Sequence, residues 1–289
     1  MILNLGSINA DHFYELPRLV GPGETLAASA YSVGLGGKGA NQSVAAAQAG
    51  AKVRHIGAVG PEGGWLVEKL ARYGVDTRFI RTIETPTAHA IVMIDREGEN
   101  QIVIYPGSNA EQNLEVINVA LEEASPGDWL MLQNETSHVP EAAKAARERG
   151  LHVAYSAAPF DAEAARAVLP HVSLLFLNAV EARQLAEDLG IAVADLPVPC
   201  VLVTKGAEGA ELLSRESAKT VSVQAKEVQV VDTTGAGDTL AGYMVAGLSM
   251  GLSPEHALER ASAAASLSVT KKGTADAIPS ASEVDRFLA

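Results

Sequence analysis

Two glycine-rich segments contain the residues of this sequence best suited to chemistry. One of them, Val231–Thr239 (VDTTGAGDT), follows a β-like run and precedes an apolar stretch that predicts a helix. Backbone N–H groups at the start of a helix can bind an anion, so this segment is a candidate anion site. Asp238 comes next, at the start of the predicted helix and beside the same amides. Helix capping is the plainer alternative for Asp238, but a cap requires neither the Gly-Ala-Gly run nor Asp232.

The other segment, Gly34–Gln42 (GLGGKGANQ), contains the G-x-G-x-x-G pattern of a dinucleotide-binding turn. In that fingerprint the glycines follow the first strand directly, but here the predicted first strand ends near Ile8, about 25 residues earlier. A P-loop requires Ser or Thr after its Gly-Lys pair, and here Lys38 is followed by another glycine. From the residues alone, a glycine turn into a helix that begins near Asn41 is favoured.

The elements that must position these segments alternate along the chain. Short apolar runs are separated by amphipathic stretches, which is typical of a doubly wound, mainly parallel α/β sheet with helices on both faces. The predicted strands are Ile2–Ile8, Val53–Val59, Trp129–Leu132, His152–Tyr155, Leu174–Leu177 and Val201–Thr204. The predicted helices are Asn41–Ala49, Trp65–Tyr73, Glu111–Glu123, Pro140–Arg149, Ala162–Val168, Val180–Leu189, Asp238–Met250, Pro254–Val269 and Ser282–Leu288.

Two β-rich stretches, Glu24–Val33 and Thr87–Tyr105, interrupt this alternation. They flank the segment Gly34–Gln42 in sequence, so they could form a small sheet over a site on the main sheet. We therefore expect one α/β domain over residues 1–289, with a small β-sheet lid formed by inserted segments at about 12–33 and 85–108.

Composition limits the possible partners and the compartment. The 289 residues include 22 Lys and Arg against 35 Asp and Glu, so the net charge is -13. Such an acidic surface repels nucleic acid and anionic membranes, and we expect neither as a partner. The single cysteine, Cys200, excludes an internal disulfide and a Cys-rich metal site. The N-terminal residues lack the features of a signal peptide, so a cytoplasmic protein is predicted.

The two glycine segments also resemble a known family. Gly37, Asn41 and Gly235–Asp238 resemble the ribokinase-like (PfkB) family of sugar and nucleoside kinases, and the GGKGAN form resembles its ribokinase members rather than its fructokinases. The matching motifs extend in order over nearly the whole chain: GSINAD (6–11), PGET (22–25), GGKGANQ (36–42), GEN (98–100), N-x-x-E (178–181), V-T-x-G (203–206), GAGDT (235–239) and V-T-x-K-G (269–273).

The resemblance implies an ATP-dependent kinase that transfers the γ-phosphoryl group to the 5-hydroxyl of D-ribose. Asp238 would be the general base, and the amides of Gly235, Ala236 and Gly237 would form the anion hole. The residues implied in sugar binding are Asn9, Asp11, Gly36, Gly37, Lys38, Asn41, Glu135 and Asp238. From the residues alone, Asp11 could equally be a solvated turn carboxylate and Lys38 a surface charge.

The same resemblance implies a nucleotide site, two cations and a dimer. The nucleotide, with Mg²⁺, would lie near Asn178, Glu181, Thr204, Gly206 and Gly237. Alternatively, Asn178 could simply cap the helix that follows. A monovalent cation, K⁺, would be held largely by main-chain carbonyls of Asp232, Thr234, Ser268, Lys271, Gly273 and Ala277. A homodimer formed through the lid is also expected.

Three segments depart from the ribokinase pattern. Ser156–Pro159 (SAAP) replaces the usual N-P-A-P, and Asn178–Glu181 (NAVE) lacks the acid that often follows the asparagine. Ile191–Cys200 is shorter than the helix-bearing segment usual in ribokinases, which predicts a trimmed helix. Two alternative functions are therefore kept: a related kinase for deoxyribose, another sugar or a nucleoside, and a non-catalytic sugar-binding regulator.

Overall fold

The computed structural model describes residues 1–289, which form a large sheet, a small sheet and nine helices. The strands are β1 (Ile2–Leu5), β2 (Asn9–Glu15), β3 (Ala30–Gly36), β4 (Val53–Val59), β5 (Asp76–Thr82), β6 (His89–Ile94), β7 (Asn100–Tyr105), β8 (Trp129–Gln133), β9 (His152–Ser156), β10 (Leu174–Asn178), β11 (Cys200–Thr204), β12 (Ala210–Ser214) and β13 (Lys219–Val223). The helices are α1 (Lys38–Gln48), α2 (Gly64–Arg72), α3 (Leu114–Glu122), α4 (Val139–Glu148), α5 (Ala162–Val168), α6 (Ala179–Leu189), α7 (Ala236–Ser249), α8 (Pro254–Ser268) and α9 (Ala281–Leu288).

The large sheet has nine strands in the order β13-β12-β11-β10-β9-β8-β1-β4-β5. All its pairs from β10–β11 through β4–β5 are parallel, and β12 and β13 are added antiparallel at one edge. Because β1 lies between β4 and β8, the strand order reverses at β1. In open α/β sheets, ligands bind at such a reversal, beyond the carboxyl ends of the strands.

The core lies on both faces of this sheet. Side chains of α1, α2, α7, α8 and α9 pack on one face, and those of α3 to α6 pack on the other. A strand that is covered on both faces has no side exposed to solvent. Strands β4 and β8 are accordingly buried at every residue. The expected doubly wound, mainly parallel fold is confirmed. None of the nine helices is both long and apolar enough to cross a lipid bilayer.

The small sheet has four strands in the order β3-β2-β6-β7. Strand β2 pairs antiparallel with β3 and parallel with β6, and β7 pairs antiparallel with β6. Since β2 starts at Asn9, four residues after the end of β1, the small sheet lies over the carboxyl end of β1. The expected β-sheet lid is thus present, while its proposed boundaries at 12–33 and 85–108 stay a prediction.

Several local expectations were wrong. The predicted strand Ile2–Ile8 ends at Leu5, because the chain crosses there to the small sheet, and the β-rich stretch Glu24–Val33 is extended strand only from Ala30. Strands β2, β5, β12 and β13 were not predicted. In the shortened segment Ile191–Cys200, by contrast, the expected trimming is observed, since the segment contains only a single 3₁₀ turn at Val193–Asp195.

Candidate active site

A cleft of about 900 Å³ separates the carboxyl end of β1 from the small sheet. Most of the predicted sugar-binding residues and part of both glycine segments line it: Asn9, Asp11, Gly37, Lys38, Asn41, Glu135, Asp232, Thr234, Gly235, Asp238 and Gly273. The volume lies in the range usual for small-molecule sites. The structure thus brings together residues that are more than 200 positions apart in the sequence.

Asp238 lies in the first turn of α7, and its side chain is directed toward α1. The Asn41 side-chain amide donates to Asp238 Oδ2 at 3.1 Å, and the Gln42 amide donates to Asp238 Oδ1 at 3.0 Å. No side chain caps α7, whose N-cap is Gly235 in the left-handed conformation (φ 75°). The capping alternative for Asp238 is therefore wrong, and its carboxylate lines the cleft while two side-chain amides hold it.

The Gly-Ala-Gly run supplies unpaired backbone donors beside Asp238. The Ala236 amide donates to the Thr233 carbonyl at 3.3 Å, whereas the amides of Gly235 and Gly237 have no partner in the chain. Unpaired N–H groups at the start of a helix are the usual feature of an anion site. A phosphoryl group placed here would lie next to the Asp238 carboxylate.

The glycines of GLGGKGANQ are explained by close approach. A Cβ at Gly36 would overlap the Asp11 carboxylate, and one at Gly39 would overlap the backbone of Gly6. Gly37 has a φ of 90°, a conformation that other residues rarely adopt. Gly34 has no such constraint, since a Cβ there would meet only the Phe13 ring at 3.8 Å. The segment packs the start of α1 against the end of β1 and leaves room for Asp11.

Three carboxylates, those of Asp11, Glu135 and Asp238, face the cleft around one lysine. The Glu135 carboxylate accepts from the Ser7 hydroxyl and, at 3.1 Å, from the backbone amide of Lys38. The charge of Asp238 raises the pKa of Lys38, and Glu135 adds to this effect against the opposing effect of burial. Lys38 is thus a partly buried cation beside carboxylates rather than the surface charge considered from the sequence.

Asp11 is almost fully buried, and its Oδ1 atom has no hydrogen-bond partner in the chain. Burial, followed by the charges of Glu135 and Asp238, raises the pKa of Asp11 to about 7 from its usual value of 3.8. The solvated-turn alternative for Asp11 is therefore wrong. An unpaired buried carboxyl oxygen that lines a cleft is suited to binding a ligand hydroxyl.

The raised pKa of Asp11 predicts how stability depends on pH. Between pH 4 and pH 7 the unfolded chain has lost the Asp11 proton while the folded chain keeps it, so stability falls as pH rises. We expect the sugar-free Asp11→Asn variant to be more stable than wild type at pH 8, by on the order of 3 kcal/mol, and the gap to close toward pH 4. Urea unfolding at pH 4.5 and pH 8 measures this. The exposed Asp195→Asn variant is the control, and an equal gap at both pH values would contradict the prediction.

Several polar residues of the site were missed in the sequence. Asn109 accepts from the Ile8 amide at 3.0 Å and donates to Asn9 Oδ1 at 2.8 Å, so it orients Asn9. Asn4 and Gln133 are fully buried on β1 and β8. Their only signal in the sequence is a polar residue within or at the end of an apolar run, which does not indicate a partner.

Four of the predicted nucleotide residues lie at or just after the carboxyl ends of β10 and β11, outside the residues that line the cleft: Asn178, Glu181, Thr204 and Gly206. Asn178 and Thr204 are paired across β10 and β11, so their side chains lie at the same edge of the sheet. Asn178 caps α6 by accepting from the amides of Val180 and Glu181, and Glu181 accepts in return from the Asn178 amide at 2.8 Å. The capping alternative for Asn178 is thus observed. Gly206 follows β11 with a φ of 58°.

The predicted cation residues are partly assembled. Asp232 joins two turns, because its carboxylate accepts from the amides of Thr234 at 2.9 Å and Gly273 at 3.0 Å. The carbonyls of Asp232, Thr234, Lys271 and Gly273 accept no hydrogen bond within the chain. These free carbonyl oxygens are the kind of ligand that suits a hard cation such as K⁺.

The other two predicted cation residues, Ser268 and Ala277, are less suited to hold K⁺ through a free carbonyl. The Ser268 carbonyl accepts from the Lys271 amide at 3.3 Å, and Ala277 is the buried last residue of a short 3₁₀ turn. No group of three or more His, Cys, Asp or Glu side chains is arranged to hold a metal ion.

The family is decided by comparison with known sequences. The profile described as pfkB family carbohydrate kinase matches residues 1–281. The chain belongs to this family. A similar curated relative of this pfkB-family kinase is the ribokinase of Haemophilus influenzae, which is 35% identical over 302 residues and covers 98% of this chain and 97% of the relative.

Solved structures support the same assignment of the kinase. The ribokinase of Thermotoga maritima has a TM-score of 0.89 and 31% identity, and the match covers 100% of this chain and 99% of that one. The ribokinase of Arabidopsis thaliana complexed with ribose and ATP has a TM-score of 0.86 and 29% identity, and the match covers 99% and 98%. Both matches include the large sheet and the lid.

Proposed function

We propose that this carbohydrate kinase transfers the γ-phosphoryl group of ATP to the 5-hydroxyl of D-ribose. The observation that carries the proposal is the position of Asp238 beside the unpaired amides of Gly235 and Gly237, in a cleft lined by buried polar groups. The similarity to ribokinases, one of them in complex with ribose and ATP, supports this choice of substrates.

In this proposal Asp238 accepts the proton of the sugar hydroxyl. The hydroxyl oxygen forms a bond to the γ-phosphorus, and the bond from that phosphorus to the leaving ADP breaks. The amides of residues 235–237 stabilise the charge on the transferred group. The sugar is held by short polar side chains and by close backbone approach, and these residues are Asn9, Asp11, Gly36, Gly37, Lys38, Asn41 and Glu135. The chain's main contribution is to place the hydroxyl in line with the phosphoryl group.

The nucleotide is proposed to bind along Asn178, Glu181, Thr204, Gly206 and Gly237. Mg²⁺ neutralises phosphate charge when it is bound with ATP, and it typically reaches a protein through phosphates and water. The Glu181 carboxylate already accepts from the backbone amide of Asn178. Its contact with Mg²⁺ and the phosphates would therefore be made through water. The free carbonyls at Asp232, Thr234, Lys271 and Gly273 support a K⁺ site next to the anion hole, with Ser268 and Ala277 as further candidates.

A coupled assay of ADP formation over a panel of sugars, with and without K⁺, tests the function. We expect D-ribose to give the highest kcat/KM and K⁺ to raise the rate. Deoxyribose should be a much poorer substrate, because its missing hydroxyl leaves buried polar groups unpaired. If deoxyribose or a nucleoside were preferred, the related-kinase alternative would replace this proposal. Sugar binding without ADP formation under any ionic condition would favour the regulator.

The exposed edge of the lid supports a homodimer. Strand β7 presents the consecutive apolar residues Ile102, Val103, Ile104 and Tyr105, each more than 40% exposed, on an unpaired sheet edge. Such an edge is usually covered, and pairing of two lids would bury it. The same surface adjoins the cleft, so a second lid would also narrow the entrance to the site.

The lid dimer predicts a specific loss of association. Ile102→Glu should shift the mass measured by light scattering at micromolar concentration from dimer to monomer, because a charge on the covered face is costly to bury. Val119→Glu, the same kind of change at an exposed apolar residue of α3, should leave the dimer intact. A monomeric wild type, or a dimeric Ile102→Glu variant, would contradict a dimer formed through the lid.

A further inference from the structure

A continuous series of buried polar side chains connects the core of the large sheet with Asp238. Each member is at most 1% exposed, and in order they are His55, Ser43, Asn4, Gln133 and Gln42. Buried polar groups are costly unless they are hydrogen-bonded, so a series of this length is maintained only when its members pair with one another. We call this series the core polar chain.

The direction of its hydrogen bonds is fixed at the His55 end. Burial lowers the pKa of His55 to about 4, so the ring is neutral near pH 7 and carries one N–H. Its Nε2 atom lies 3.1 Å from the Gly6 carbonyl, which can only accept. The proton is therefore on Nε2, and Nδ1 accepts from the Ser43 hydroxyl at 2.8 Å. The Ser43 oxygen is then free to accept from Asn4 Nδ2, which lies 2.9 Å away.

The same logic continues to Gln42. Asn4 Nδ2 also donates to the Gly39 carbonyl at 2.8 Å, so Asn4 Oδ1 is the acceptor for Gln133 Nε2 at 3.0 Å. Gln133 Nε2 donates its other hydrogen to Gln42 Oε1 at 2.7 Å. The Gln42 carbonyl is thus occupied. Its amide nitrogen must face the other way, toward Asp238 Oδ1 at 3.0 Å and Ser156 Oγ at 3.2 Å.

We propose that Gln42 is a positioning residue for the catalytic carboxylate, held by the core polar chain as an obligate hydrogen-bond donor to Asp238. The inference rests on the proposed function in that Asp238 is the base. Asn41 donates to the other oxygen of Asp238, so two amides together fix the plane of the carboxylate before the sugar binds. Ser156, at the first position of the SAAP departure, holds the second hydrogen of the Gln42 amide.

This role predicts a specific kinetic defect. Gln42→Met keeps the length of the side chain but has no donor, and it leaves Asp238 with only the Asn41 contact. We expect kcat to fall roughly 10- to 100-fold because the base is misoriented, while the KM for the sugar changes by less than about 2-fold. The acidic limb of the pH–rate profile should move to higher pH, because a donor to the ionised form is lost.

Two further variants separate positioning from a general packing defect. Gln48→Met makes the same exchange at the last residue of α1, outside the core polar chain, and should leave kcat and the pH profile unchanged. Gln133→Met, at a residue that does not contact Asp238, should lower kcat less than Gln42→Met. In the Gln42→Met background it should add no further loss, since it acts through Gln42.

Each outcome bears on the proposal. Unfolding midpoints measured for all variants identify any that fail to fold. If Gln42→Met fails, Gln42→Glu supplies the test: it preserves shape, still accepts from Gln133, and should lower kcat further because it places a second carboxylate beside Asp238. A folded Gln42 variant with normal kcat and pH profile, or full additivity with Gln133→Met, would overturn the role of Gln42 and leave the proposed function intact. A wild-type protein inactive on every sugar would overturn the proposed function, and the inference with it.

Discussion

Asp238→Asn should lower kcat by about 1,000-fold while sugar binding survives. The change removes the group that accepts the hydroxyl proton, and general-base catalysis contributes factors of this size. The size and shape of the side chain are kept, so the cleft and its other polar groups remain in place. One oxygen becomes an NH₂ group that faces an amide donor, either Asn41 or Gln42, which adds local misorientation to the loss of the base.

Two measurements check this result. Coupled ADP assays give kcat, and calorimetric titration of the sugar gives the affinity, which should change by no more than a few-fold. The exposed Asp195→Asn variant controls for the loss of one negative charge and should behave as wild type. A near-normal turnover in Asp238→Asn would remove Asp238 from the catalytic role and, with it, the proposed mechanism.

Gly36→Ala should impair sugar binding rather than folding. The added Cβ would overlap the Asp11 carboxylate, so Asp11 must leave the position from which it faces the cleft. The backbone of Gly36 is not in the left-handed region, so alanine is not strained there. Loss of hydrogen bonds from a carboxylate costs about 1.5–3 kcal/mol each, which corresponds to a rise in sugar KM of roughly 10- to 100-fold.

The same strand supplies a matched control for this prediction. Gly34→Ala, two residues earlier on β3, places its Cβ in ordinary contact with Phe13 and should leave KM unchanged. Steady-state kinetics give the KM for the sugar in both variants, and unfolding midpoints confirm that each variant is folded. Equal KM values for Gly36→Ala and wild type would show that Asp11 does not bind the sugar from this position.

The central strands were predictable because both faces of the sheet are covered. Strand β4 is buried at every residue and its predicted boundaries, Val53–Val59, match the observed ones. The edge strands β5 and β13 were missed because sequences such as DTRFIRT and KTVSV contain no apolar run. Their extended conformation is decided by pairing with a neighbouring strand, and local sequence does not encode such pairing.

The site residues likewise divide into those that the local sequence indicated and those that it did not. The Gly-Ala-Gly run before Asp238 indicated an anion site from local chemistry alone, and its partner segment was assigned through the family resemblance. The contact between Asn41 and Asp238 spans 197 positions, and no periodicity in the sequence predicts it. Gln42 and Gln133 were missed for a related reason, since a buried amide is recognised only when the groups facing it are known.

The short crossing between the two sheets has a mechanical consequence. The chain passes from β1 to β2 through only Gly6–Ile8, and it returns from β3 to α1 through Gly37. In a rocking motion of the small sheet about these two crossings, the ion pair between Glu15 and Lys272 would have to break. Asn9 lies at the pivot, whereas Glu15 lies about 20 Å along β2, at the far end of the lever. A rotation large enough to open the entrance would therefore move the outer strands by several ångströms and barely displace the polar groups at the base of the cleft.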